Sequence, residues 1–208
     1  MDTGYNTLLF CTGISGSGKS YFIKNILPQI APQHDFYNLK SATTREMRDG
    51  EKDGREYYFR DEKYFETTDF ATKLWVNEAF WKPGMKKWMY GVPSFEIINN
   101  LGRNLVYDVI QPKYIREMID WFENSEFCGT PIIDFYDYQV KILWFQPPKN
   151  NVEIAQKRQN MPNDLDVRKT NTCLLSDFKA ANLIPDHKII CNPQQVYIDD
   201  ELRNYLAR

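Results

Sequence analysis

Residues 13–20, Gly13-Ile14-Ser15-Gly16-Ser17-Gly18-Lys19-Ser20, carry the most specific chemistry in the chain. Their spacing is that of a loop that cradles the phosphates of a nucleoside triphosphate. Glycine lets the main chain wrap phosphate oxygens with N–H groups turned inward, and a following helix adds the positive end of its dipole. Lys19 can reach the β- and γ-phosphates, and the Ser20 hydroxyl can ligate Mg2+. Gly13, Ser15, Gly16, Ser17, Gly18, Lys19 and Ser20 are therefore assigned to ATP, with Mg2+ as cofactor. Lys19 is expected to serve the phosphates and to have no structural partner in the loop.

Elements on both sides must hold that loop. Thr7–Cys11 is a short apolar run of strand type, and Lys19–Leu27 has helical spacing up to Pro28. A strand that turns through such a loop into a helix is the context the pattern requires, and it argues against an inert Gly/Ser loop. Further on, 36–40, 56–60, 74–80, 104–110, 140–145 and 188–191 read as strands. Helices are predicted over 62–67, 69–73, 93–101, 113–122, 152–158, 166–183 and 194–205, and a hairpin loop over 81–89. Asp61 is placed to cap its helix. Short apolar strands alternating with helices imply an α/β fold, a parallel sheet covered on both faces, with ligands at the carboxyl ends of the strands. Asp108 closes one buried strand, where a carboxylate can hold Mg2+ or its water shell. The plain alternative for Asp108 is a helix cap.

The formal net charge is −2, so no overall basic excess points to nucleic acid. Cys11, Cys128, Cys173 and Cys191 are scattered, without metal-ligand or disulfide spacing, and are expected to be reduced. No targeting segment or membrane span is visible, so a cytoplasmic protein, monomer or homodimer, is expected.

The segment Ser41-x-Thr43-Thr44-Arg45-x-x-Arg48-x-Gly50-Glu51-x-x-Gly54-x-x-Tyr57-x-Phe59 resembles the nucleotide-binding segment of guanylate kinases. The likeness continues through Tyr90-Gly91, Tyr107-Asp108, residues 143–148 and residues 188–192. It implies a P-loop kinase that moves the γ-phosphoryl of ATP to a nucleoside monophosphate with Mg2+. It also implies a core (1–38, 99–155 and 170–208), a mixed monophosphate-binding insert (39–98) and a short lid (156–169). Arg45 and Arg48 can clamp phosphate oxygens, and Tyr57 and Tyr90 can each donate an O–H. In the lid, Arg158 and Arg168 match arginines that reach the transferring phosphoryl, and Asn192 matches a residue near the adenine. The lid departs from the pattern at 159–163, where one arginine is missing.

The base pocket departs most. The resemblance places a Glu, a Ser and an Asp against guanine at positions that here hold Asn77, Val92 and Ile110, while Ser41, facing O6, is kept. An amide presents one donor and one acceptor, which match the edge of uracil or thymine, and also that of hypoxanthine or, with the amide flipped, of adenine or cytosine. Adjacent strand residues point to opposite faces, so either Asn77 or Glu78 faces the base. Guanine remains the alternative acceptor if Glu78 does. A phosphopeptide-binding module without catalysis is a further alternative, opposed by the intact Lys19 and Ser20. A kinase acting on a nucleotide within DNA, or on another small phosphorylatable molecule, is a third class. The retained Arg45, Arg48, Tyr57 and Tyr90 favour an acceptor that already bears a phosphate.

Overall fold

The computed structural model describes residues 4–14, 17–75, 88–146, 173–192, 195–196 and 200–207. The predicted first strand is β1 (Asn6–Thr12), buried from Thr7 onward. It is apolar along its length because a strand is bonded to each of its edges and packed elements cover both faces. After the phosphate loop come α1 (Lys19–Tyr21), a π-type turn (Phe22–Ile26) and α2 (Leu27–Ile30). The helical path was expected to stop near Pro28 but continues to Ile30. Pro28 falls in the first turn of α2, where its missing N–H is not needed.

Strand β2 (Tyr37–Asn38) is shorter than the predicted 36–40. Next come β3 (Ala42–Thr43) and β4 (Tyr58–Phe59), then α3 (Glu62–Thr67), capped by Asp61, whose side chain accepts from the Tyr64 amide at 2.9 Å. The helix predicted over 69–73 is a strand instead, β5 (Phe70–Trp75). Pairing with β6 (Met89–Pro93) overrides the local preference there. The chain continues with α4 (Ser94–Ile98), β7 (Leu105–Val109) and α5 (Pro112–Asn124). A hairpin of β8 (Glu126–Phe127) and β9 (Thr130–Pro131), with α6 (Ile132–Phe135), was not anticipated. Then come β10 (Tyr138–Gln146), α7 (Leu175–Ala180), β11 (His187–Asn192), β12 (Gln195–Val196) and α8 (Asp200–Ala207). The last predicted helix therefore starts later than 194, because Gln195–Val196 pairs with β11. The predicted helix over 152–158, the first part of that over 166–183, residues 76–80 and the loop 81–87 lie outside the described residues.

Among the described residues the core sheet runs β12-β11-β10-β1-β7-β2, parallel except for the edge strand β12. A second, mixed sheet runs β4-β3-β6-β5. The fold is thus α/β, a parallel core flanked by helices with a mixed insert. Strand alternation splits the core into two layers. Leu9, Cys11, Val106, Leu143 and Phe145 pack with Phe22, Ile23 and Leu27 beneath the phosphate loop. Leu8, Phe10, Leu105, Tyr107 and Val109 face Ile115, Met118, Ile119 and Phe122 of α5 on the other side. Each such side chain contributes about 1.5–3 kcal/mol on burial.

Candidate active site

The loop between β1 and α1 is held from below by β10. A Cβ at Gly13, where φ is +149°, would lie 2.3 Å from the Phe145 carbonyl oxygen. Only glycine fits that close approach. Gly18 takes φ +96° at the helix entry. Lys19 is buried, and its ammonium donates to the carbonyls of Gly13 at 2.7 Å and Ile14 at 3.0 Å. The expectation that Lys19 lacks a loop partner is corrected: its ammonium bonds the loop's own carbonyls. It also lies 3.5 Å from Asp108 Oδ1, while the Ser20 hydroxyl donates to Asp108 Oδ2 at 2.8 Å.

Ser17 Oγ is buried and finds no hydrogen-bond partner among the described residues. A buried hydroxyl left unpaired costs roughly 1–3 kcal/mol, which a phosphate oxygen here would relieve. Ser20, Asp108 and this unmet hydroxyl fit a magnesium–triphosphate group. Magnesium is held by one or two protein oxygens plus phosphates and water rather than by a protein cage. No group of three or more His, Cys, Asp or Glu side chains that could hold a metal ion occurs among the described residues.

The acceptor side is built on the second sheet. Thr43 pairs with Phe59 on one edge and with Tyr90 on the other. Arg45 lies two residues after Thr43 and is 5% exposed. Its guanidinium lies 5.4 Å from the ring centroids of both Tyr57 and Phe59 and donates to the Glu46 carbonyl at 2.7 Å. Glu51 receives Arg45 Nη2 on both carboxylate oxygens, at 2.8 and 3.0 Å, and the Arg48 amide at 2.8 Å. Burial alone would raise the Glu51 carboxyl, but these bonds and the two arginine charges hold it below its ordinary value. For Arg45, burial opposes the charge, and the Glu51 bond and neighbouring groups outweigh it.

Tyr57 meets Tyr90 edge to face with centroids 5.9 Å apart. Burial, then the charge fields of Tyr90 and Asp108, drive the Tyr57 phenol far above its ordinary value. It therefore stays a donor. Arg48 is half-buried beside Glu51. The sequence motif includes Glu51 but gives it no site role; its place after Arg48 and Gly50 is the signal for one.

Ser41, 9% exposed, contacts the Tyr107 hydroxyl at 3.3 Å. Val92 pairs with Thr72, is fully buried, and shares a core cluster with Tyr107. Ile110 follows β7, half-buried, and its carbonyl accepts from Thr12 at 3.2 Å. The main chain of Asn192 pairs with Gln195 at the end of β11. Ser15, Gly16, Asn77, Glu78, Arg158 and Arg168 lie outside the described residues. The structure thus brings Gly13, Ser17, Gly18, Lys19, Ser20 and Asp108 together, and separately Arg45, Arg48, Tyr57 and Tyr90.

Comparison with known proteins follows the same residues. The guanylate kinase family model matches residues 5–109, half of the 208-residue chain. A guanylate kinase of Synechococcus sp. is 35% identical over 100 residues, 47% of this chain and 50% of that protein. One of Mycoplasma genitalium is 47% identical over 55 residues, 26% of this chain and 22% of that protein. The chain spans about half the length of the first of these relatives. A crystal structure of guanylate kinase from Anaplasma phagocytophilum matches with a TM-score of 0.49 at 15% identity, covering 98% of this chain and 82% of that one. With the family model spanning the phosphate loop, the Arg45–Tyr57 segment and Asp108 together, the chain belongs to the guanylate kinase family.

Proposed function

We propose that the chain is an ATP-dependent nucleoside monophosphate kinase, with a uracil- or thymine-bearing acceptor favoured. The observation that carries this reading is the convergence of loop and insert on β7. Lys19 and Ser20 bond or approach the Asp108 carboxylate from the triphosphate loop, and Ser41 of the insert contacts the hydroxyl of Tyr107, the residue before it. A phosphate on Arg45, Arg48, Tyr57 and Tyr90 would then face the triphosphate across the joint between insert and core. Ser20 and Asp108 would hold the metal, which supplies charge neutralisation between the β- and γ-phosphates.

The chain's own residues do the rest. Lys19 leaves the Gly13 and Ile14 carbonyls for the phosphates. Arg45, fixed by Glu51 and two aromatic rings, orients the acceptor phosphate for in-line attack. Arg158 and Arg168 are assigned to the lid, 156–169, to neutralise charge on the transferring group. The core and insert boundaries (39–98 for the insert) and Asn192 beside the adenine belong to the same reading. Asn77, Val92 and Ile110, in place of acceptors for the guanine amine, support the pyrimidine.

GMP or dGMP is the second reading, favoured by the relatives, which bear the name guanylate kinase. Incubating the protein with Mg-ATP and each common ribo- and deoxymonophosphate, and following ADP release, tests both. Turnover with UMP or dTMP above GMP supports the first reading. GMP above every pyrimidine supports the second, and no release with any acceptor rejects the kinase.

A further inference from the structure

Three buried hydroxyls meet where the second sheet rests on the core. Thr72 pairs with Val92 across β5 and β6. The antiparallel register Ala42 with Gly91 and Thr43 with Tyr90, continued by one residue, sets Ser41 on the other side of Val92. Ser41, Val92 and Thr72 therefore form one row on one face of that sheet. From the core, Tyr107 brings its hydroxyl to this row, 3.3 Å from Ser41 Oγ and hydrogen-bonded to the Thr72 side chain as well. Ser41, Thr72 and Tyr107 are 9%, 3% and 6% exposed.

The row lies next to the acceptor clamp. Tyr90 is two residues from Val92 on the same face, a step of about 7 Å along the strand, the scale of a ribose. Tyr90 is also in contact with Tyr57, which stacks on Arg45. A monophosphate held by Arg45 and Tyr90 thus carries its base toward Ser41.

Each hydroxyl has a single proton, so the trio has a polarity. Thr72 is the least exposed of the three and lies beside the Tyr107 hydroxyl. A phenol is the better donor and the poorer acceptor beside an alkyl alcohol. The chain of bonds then runs from Thr72 to Tyr107 to Ser41, leaving the Ser41 proton for a ligand, and each bond polarises the next. A donor at that place meets a base carbonyl and repels an exocyclic amine, as two donors facing one another have no acceptor between them.

We propose that Tyr107 is a specificity-determining positioning residue that, through Ser41, selects acceptors with a carbonyl on the base (UMP, dTMP, GMP) over those with an amine (CMP, AMP). This rests on the monophosphate-kinase reading and adds a choice that reading leaves open. Tyr107→Phe keeps the ring and removes the hydroxyl, so Ser41 can then accept as well as donate.

Binding of UMP, dTMP, GMP, CMP and AMP is measured by calorimetry on the wild type, Tyr107→Phe, Ser41→Ala and the double variant, with a melting curve for each. The wild type is expected to prefer its best carbonyl base at least tenfold over either amine base, and Tyr107→Phe to lower that ratio by about tenfold. In the Ser41→Ala background Tyr107→Phe should not change the ratio further, since the two act as one unit. A ratio unchanged by Tyr107→Phe, effects that add, or a wild-type preference for CMP or AMP overturns the proposal. These outcomes leave the kinase reading standing, whereas a wild type that binds none of the five ends both.

Discussion

At the scale of single residues, the site is defined by what its charges touch. Lys19 rests on two loop carbonyls and near Asp108, so Lys19→Ala removes only modest loop bonding, and on the proposed reading it removes a phosphate ligand as well. Turnover should fall by about 10²–10³ or more, with the melting temperature little changed; steady-state kinetics with a melting curve check both. Arg45→Ala removes a buried cation, and monophosphate binding should weaken by about 2–5 kcal/mol while ATP binding barely moves. Isothermal titration with each nucleotide separates the two. Glu51 yields a pH prediction. Its folded carboxyl is held below the ordinary value of 4.5, so its contribution is complete above that pH and is lost as pH falls through the lower folded value. Melting temperature against pH should therefore drop more steeply below about 4.5 in the wild type than in Glu51→Gln. What lies within one short stretch was legible in advance as a pattern: the strand, loop and helix around Lys19, the Arg45–Tyr57 segment and the Asp61 cap. The bond from Arg45 to Glu51 lies in that segment and went unread, whereas the contact of Tyr107 with Ser41 across 66 positions depends on folding.

At the scale of elements, β5 was misread as a helix over 69–73, because its state is set by β6 and not by its own sequence. The close approach shows in Gly91, where an added Cβ would lie 2.6 Å from the Thr72 carbonyl and 2.7 Å from the Phe70 ring. The joint between insert and core is equally specific. Glu96 in α4, 2% exposed, accepts from Tyr37 of β2 at 3.0 Å, from Tyr58 of β4 at 2.6 Å and from the Lys40 amide at 3.0 Å. One buried carboxylate thus ties a core strand to an insert strand. Glu96→Ala strands two phenols and an amide, and should cost about 3–5 kcal/mol in urea unfolding, far more than an exposed acid. The same variant should raise the KM of the acceptor monophosphate more than that of ATP.

At the scale of the molecule, the parallel core and its two covered faces followed from short apolar strands alternating with helices, and the inserted mixed sheet from the resemblance to guanylate kinases. The β8–β9 hairpin did not, since two-residue strands leave no periodic trace. Ligand binding should stabilise the whole. A nonhydrolysable ATP analogue with Mg2+ at a hundred times its Kd adds about 2.7 kcal/mol, or roughly 5–10 °C of melting temperature for a chain of this size. Thermal unfolding of the wild type should show that rise, of Lys19→Ala should not, and chelating the magnesium should shrink it.

Tyr107 and Asp108 are neighbours in β7 and face opposite layers, one toward α5 and Ser41, the other toward Ser20 and Lys19. On the proposed reading, base choice and phosphoryl transfer would sit on adjacent letters of a single strand. A substitution at Tyr107 would then change the acceptor while Asp108 keeps its place beside Ser20 and Lys19. A one-residue insertion or deletion upstream in β7, by contrast, exchanges the two faces and loses both at once.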